Sequence, residues 1–121
     1  MVVKSYSFSW CKSKYGQRLE IFVQDGKKWC GCVDINTKAL ATIANLMVHP
    51  KHLRRGYGRV LMQRLIAEFG NQTLMLEVEP DTNVISAKAL TKFYHSLGFK
   101  GTPSPNTRMM MVRDKTTLKG K

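Results

Sequence analysis

Hydrophobic and polar residues alternate in two early stretches, residues 3–11 and residues 18–24 (RLEIFVQ), which places successive side chains on opposite faces of a strand. A third stretch, residues 28–36 (KWCGCVDIN), follows Asp25-Gly26, a dipeptide suited to the left-handed backbone of a hairpin turn. The chain is therefore expected to open as antiparallel strands. Leu40 to Val48 is rich in β-formers and follows a turn at residues 36–38, so it is the next strand of the meander, ended by Pro50.

After Gly56 the period changes. Val60, Leu61, Leu65 and Phe69 recur at helical spacing, Met62 and Ile66 widen the apolar stripe, and Gly70-Asn71 is a stop signal. That pattern predicts a helix of about four turns. Thr73 to Glu79 (TLMLEVE) predicts a buried strand stopped by Pro80-Asp81. Ser86 to Leu97 predicts a second helix, with Ala89, Leu90, Phe93, Tyr94 and Leu97 on one face and Gly98 as its cap. The turn-rich residues 101–106 (GTPSPN) then lead to a last strand over Arg108 to Arg113. This order predicts a mixed α/β sandwich in which Leu40 to Val48 and Thr73 to Glu79 lie parallel across the first helix.

A chain of 121 residues holds one domain, expected over residues 1–114, with Lys115, Lys119 and Lys121 marking residues 115–121 as a short basic tail. The first ten residues, MVVKSYSFSW, lack the apolar run of a secretory signal, and no stretch reaches the length of a membrane span. A cytoplasmic protein away from membranes is the expectation. Cys11, Cys30 and Cys32 form no disulfide framework, and alternation puts Cys30 and Cys32 on one strand face as reduced thiols. His49, His52 and His95 lack a paired spacing, so no metal site is expected.

The net charge of +12, from 20 basic and 8 acidic side chains, attracts anions. A solvated basic surface is the plain reading. The functional readings are coenzyme phosphates, an acidic protein partner or nucleic acid.

The stretch from Leu53 to Val60 (LRRGYGRV) joins a strand to a helix, and its two glycines let backbone approach a ligand closely. The amides that open a helix have no partner within it, so those of residues 54–59 can converge on a diphosphate at the positive end of the helix dipole. Arg54, Arg55 and Arg59 add charge. A lone glycine pair before a helix is also met as an ordinary tight turn. The surroundings narrow the choice: IxNLxVxP at Ile43 to Pro50, RRGYGRVLMQRL at Arg54 to Leu65, LEV at Leu76 to Val78, and FYxxLGF at Phe93 to Phe99.

In this order and spacing those segments resemble the GCN5-related N-acetyltransferase (GNAT) superfamily over roughly Leu40 to Phe99, about half of the chain. The resemblance implies the GNAT acyl-CoA N-acyltransferase fold, a mixed and mostly antiparallel sheet with a central splayed parallel strand pair and two main helices. It also implies acetyl-CoA as donor substrate. By that likeness Leu46, Met47 and Val48 meet the pantetheine arm, while Arg54, Arg55, Gly56, Tyr57, Gly58 and Arg59 hold the phosphates. There are departures. Leu53 stands where the family usually has Gln or Arg, and Ala87 stands where it often has an asparagine, which leaves Asn83 in the preceding loop as the candidate pantetheine contact. The helices that many members carry between their first two strands have no counterpart in the short polar segment from Cys11 to Arg18, so the acceptor groove is expected to be open or completed by a partner.

Acetyl transfer to an amine needs a group that removes a proton from the ammonium and one that protonates the departing thiolate. Tyr94, four residues before Gly98, matches the family's general acid, although a core tyrosine beside Phe93 would look the same. Glu77 matches the base of some protein N-terminal acetyltransferases, whereas others use a glutamate on the preceding strand, where Thr42 stands here. Glu79, His49 or water are the alternatives for the base. Direct transfer leaves Cys30 and Cys32 with no nucleophilic role.

The implied activity is N-acetylation of a primary amine, of a protein or peptide, by an acyltransferase. Two other readings use the same residues: a nucleic-acid-associated acyltransferase, from the basic charge, and a non-catalytic acetyl-CoA-binding module, from the open choice of base. The oligomeric state is left open, a dimer included.

Overall fold

The computed structural model describes residues 6–38, 40–78, 85–102 and 110–114. Three antiparallel strands come first: β1 (Tyr6–Lys12), β2 (Gln17–Val23) and β3 (Lys28–Asn36). The β2–β3 turn uses left-handed backbone at Gln24, Asp25 and Gly26. β4 (Ala41–Val48) runs antiparallel to β3, and a 3₁₀ turn (Pro50–His52) leads to α1 (Tyr57–Phe69). β5 (Leu74–Glu77), α2 (Ala87–Ser96), β6 (Lys100–Thr102) and β7 (Met110–Arg113) follow. The strands form one sheet in the order β1-β2-β3-β4-β5-β7-β6. Among the described residues only β4 and β5 pair in parallel, as the order of elements predicts.

That parallel pairing is short. Ala41, Thr42 and Ile43 face Leu74, Met75 and Leu76, and beyond Ile43 the two strands no longer pair. The separation coincides with a bulge: Asp34 pairs with Ala44 and Cys32 with Met47, so β4 spends three steps where β3 spends two. Asn45, the inserted residue, takes left-handed backbone at φ 56.

Leu61, Met62 and Leu65 of α1 are fully buried and pack with Leu19, Ile21, Val33 and Ile35 of the sheet, with Leu74 and Leu76 of β5, and with Phe99. Along the predicted stripe of α1, Val60, Ile66 and Phe69 form its half-buried margin. On α2, Leu90 and Tyr94 are buried and Phe93 and Leu97 half-buried. Ser86 caps this helix by accepting from the Ala89 amide at 3.1 Å.

Two details differ from the sequence expectation. A second bulge, where Ile21 pairs with Gly31 and Phe22 with Trp29, leaves Cys30 between paired residues and breaks the alternation. Cys30 thus joins the apolar core, while Cys32 bonds towards the Asn45 carbonyl at 3.9 Å, and the two thiols do not share a face. The residues after Phe99 are not all turn, because Lys100–Thr102 pairs with β7 as a short strand. Its three residues, Lys-Gly-Thr, carry no apolar alternation that would mark a strand in the sequence. The expected basic tail, Asn83, Glu79 and the Pro80-Asp81 stop lie outside the described residues.

Candidate active site

The gap between β4 and β5 opens into a cleft of about 890 Å³, walled by the end of β4, the start of α1, the end of β5 and one side of α2. Leu46, Met47 and Val48 form one wall, freed from β5 by the bulge and the divergence that follows it. An unpaired strand edge offers amides and carbonyls to an extended ligand.

At the opposite wall, α1 begins at Gly56, whose φ of 89° is a conformation that glycine adopts without strain. Among the described residues no side chain caps this helix, and its first turn carries no acidic residue. Its opening amides are thus available to an anion, backed by the helix dipole. Arg54, itself left-handed at φ 64, lines the cleft with Gly56, Tyr57, Gly58 and Arg59. Successive amides in such a turn form a concavity suited to phosphate. These features fit the diphosphate of coenzyme A.

The arginines and Tyr57 divide by position. Tyr57 is 5% exposed and belongs to the core while also bordering the cleft. Arg55 is exposed and does not line the cleft. Arg59 donates to Ser96 Oγ at 2.9 Å and its guanidinium lies 5.3 Å from the Phe93 ring centroid, so it spans from α1 to α2.

Both candidate catalytic groups reach this same space. Tyr94 lies on the cleft side of α2, 6% exposed, with its ring 5.4 Å from Phe93 and 6.0 Å from Phe99. Glu77, half-buried at the end of β5, lines the cleft too, and its alternation with Leu76 and Val78 turns it from the core those two residues enter.

His49 does not line the cleft. Its Nδ1 accepts from the Lys51 amide at 3.1 Å and so caps the 3₁₀ turn. His52 does line it, a position the sequence pattern does not single out. Its Nδ1 is buried without a hydrogen-bond partner among the described residues, and burial, with Arg55 and His49 nearby, pushes its pKa down. The turn that follows Pro50 brings it against Tyr57 and His49, with ring centroids 5.8 Å and 5.7 Å away.

Behind the β4 bulge lies a buried carboxylate that sequence reading also missed. Asp34, 1% exposed, accepts from Arg18 Nε at 2.7 Å, from a terminal Arg18 nitrogen at 3.1 Å and from Asn45 Nδ2 at 2.9 Å. Burial pushes this carboxyl up, but the bonds from Arg18 and Asn45 outweigh it and hold its pKa below the ordinary value. An aspartate inside a β-rich run, with an arginine on the preceding strand, was the available signal.

Comparison with known proteins places this architecture. Residues 17–101 match the acetyltransferase (GNAT) domain family, a span that runs from β2 into β6 and includes both helices. The chain belongs to the GNAT family and is an acyltransferase of its N-acetyltransferase type. It is 33% identical over 105 residues to the [ribosomal protein bS18]-alanine N-acetyltransferase of Escherichia coli (strain K12), covering 79% of this chain and 68% of that protein. The crystal structure of the ribosomal-protein-S18-alanine N-acetyltransferase from Escherichia coli superposes with a TM-score of 0.66 at 25% identity, over 88% of this chain and 74% of that one. The Bacillus subtilis N-acetyltransferase YlbP, solved in complex with coenzyme A, shares the fold at a TM-score of 0.58 and 15% identity, over 80% of this chain and 66% of that one.

Proposed function

We propose that the cleft binds acetyl-CoA and that Tyr94 and Glu77 serve transfer of its acetyl group to a primary amine, the terminal amine of a protein or peptide. The observation that carries this reading is a single cleft lined by the free edge Leu46–Val48, the glycine turn at residues 56–58, Tyr94 and Glu77. The diphosphate would rest on the α1 amides and on Arg54, and the pantetheine arm would extend along β4. When bound, the thioester supplies an activated acyl carbon. Glu77, directly or through a water, accepts the proton that the ammonium must lose before its lone pair can attack. The new C–N bond forms as the C–S bond breaks; Tyr94 gives its proton to the departing sulfur, and the second proton, which the acylated nitrogen loses to become a neutral amide, balances the one that returns to the Tyr94 oxygen through solvent. Leu53 contributes no charge to the phosphate end, so the cradle depends mainly on backbone.

An amine of a protein is favoured by the likeness to an enzyme whose name specifies the alanine of a ribosomal protein. The net charge of +12 favours, as a second reading, a protein acceptor that is itself associated with nucleic acid. Incubation with labelled acetyl-CoA and a panel of peptides, amines, cell proteins and nucleic acid tests both. Label is expected on an α-amine. With that acceptor, Tyr94→Phe should lower kcat by about 10²-fold or more while coenzyme A still binds. Transfer at the wild-type rate would remove Tyr94 as acid, and Gly56→Glu that still bound coenzyme A would remove the phosphate cradle.

A further inference from the structure

The free edge of β4 hangs on its bulge, and the bulge is tethered from the side away from the donor wall. Asn45 is the inserted residue, held left-handed at φ 56, and its Nδ2 donates to Asp34 Oδ2 at 2.9 Å. Asp34 is in turn gripped by Arg18 through two bonds of 2.7 Å and 3.1 Å, and the Cys32 thiol reaches the Asn45 carbonyl at 3.9 Å. Without such ties a bulge is where strand register is least specified, because one residue has no cross-strand partner. A carboxylate accepting three bonds from charged and amide donors is a strong anchor. Arg18 and Asp34 do not line the main cleft, whereas Asn45 lines both it and a second hollow of about 590 Å³ that Arg18 and Asp34 border. An ion pair that served only the sheet would have no need of the third member on the bulge.

We infer that Arg18, Asp34 and Asn45 form a positioning network that fixes the β4 bulge and thereby the angle at which Leu46–Val48 face the donor. This inference rests on the reading of the cleft as the coenzyme A site. All three are positioning residues: the network acts through the strand edge.

Calorimetry with coenzyme A, together with amide hydrogen exchange, tests it. Asn45→Gly keeps a residue suited to left-handed backbone and removes the tether, together with a side chain that borders the cleft; its Kd for coenzyme A should rise roughly tenfold, the worth of a hydrogen bond to a charged group. Exchange should quicken at residues 46–48 while β2 keeps its wild-type protection. Asp34→Asn and Arg18→Lys, which alter no cleft-lining side chain, should weaken binding as well. Asn45→Asp sets two carboxylates together and should be worse than either. Combining it with Asp34→Asn restores one carboxylate–carboxamide pair beneath Arg18 and should recover most of the affinity, a rescue that general destabilisation would not produce. Wild-type protein that binds coenzyme A, with Asn45→Gly and Asp34→Asn binding equally well, overturns the inference alone. Wild-type protein that does not bind coenzyme A overturns the donor reading and this inference with it. Should Asp34→Asn fail to fold, Arg18→Lys, which leaves every cleft-lining side chain in place, decides in its stead: binding equal to wild type overturns the inference.

Discussion

Gly31 is the position where a single methyl group would move the β4 wall of the cleft. It pairs with Ile21 on one side and with Val48 on the other, in the middle of the buried sheet. A Cβ built there collides with the Met47 carbonyl oxygen and lies 3.2 Å from Val48 Cα and 3.3 Å from Leu61 Cδ1. The first two are backbone atoms and cannot swing aside as a side-chain tip does. In Gly31→Ala the end of β4 must therefore move off β3, and Leu61 must shift on α1. Overpacking of this kind costs about 1–3 kcal/mol. For a domain of this size each kcal/mol lowers the melting temperature by about 4 °C, so a fall of roughly 8 °C is the central expectation. Because the displaced atoms belong to Met47 and Val48, coenzyme A binding should weaken beyond what unfolding removes, measured by calorimetry well below the melting point. Gly58→Ala is the control. There a Cβ meets Val48 Cγ2 at 3.7 Å and Phe93 Cζ at 3.9 Å, ordinary contacts, and alanine gains about 1 kcal/mol over glycine in a helix. It should melt at or above the wild-type temperature while still weakening the ligand, since its methyl enters the cleft. Gly31→Ala melting within about 2 °C of wild type, with unchanged affinity, would refute the reasoning, since that is well under the smallest expected overpacking cost.

Two further outcomes follow from the titrating groups. Asp34 is held below the ordinary carboxyl value in the folded state, so its contribution to stability is complete above its unfolded pKa and is lost as pH falls through the lowered folded value. Melting temperatures measured from about pH 5 down to about pH 3 should fall more steeply for wild type than for Asp34→Asn, and equal slopes would exclude that contribution. Among the thiols, Cys11 is exposed while Cys30 and Cys32 are buried; all three are pushed up in pKa, so access rather than acidity separates them. A thiol reagent should therefore modify one cysteine in the native protein and all three in denaturant; rapid native modification of Cys30 or Cys32 would contradict the burial described.

What could be read from the sequence was whatever local periodicity controls. The stripe around Leu61 and Leu65 announced α1, Asp25-Gly26 announced the hairpin, and the order of elements required Ala41–Val48 and Leu74–Glu77 to run parallel. The uncapped start of α1 and the placement of Tyr94 and Glu77 in one cleft depend on those same elements, and their residues could be named in advance because the segments that resemble the GNAT family lie on them. The bulges could not be read. An inserted residue reverses the facing of everything beyond it, so Cys30 left the face assigned to it and Asn45 looked like one more alternating position. Asp34 shows the same limit from another side. An aspartate among Val33 and Ile35 reads as a solvated break in a strand until Arg18 from β2 and Asn45 from β4 are seen to converge on it. A partner set spread over three strands leaves no periodic mark on any one of them. The divergence of β4 from β5 makes room for a ligand, and the network behind it determines where the freed edge points. The family resemblance thus supplied the two catalytic candidates and periodicity only their elements, whereas the geometry that would hold the donor in front of them comes from contacts that no single stretch of chain contains.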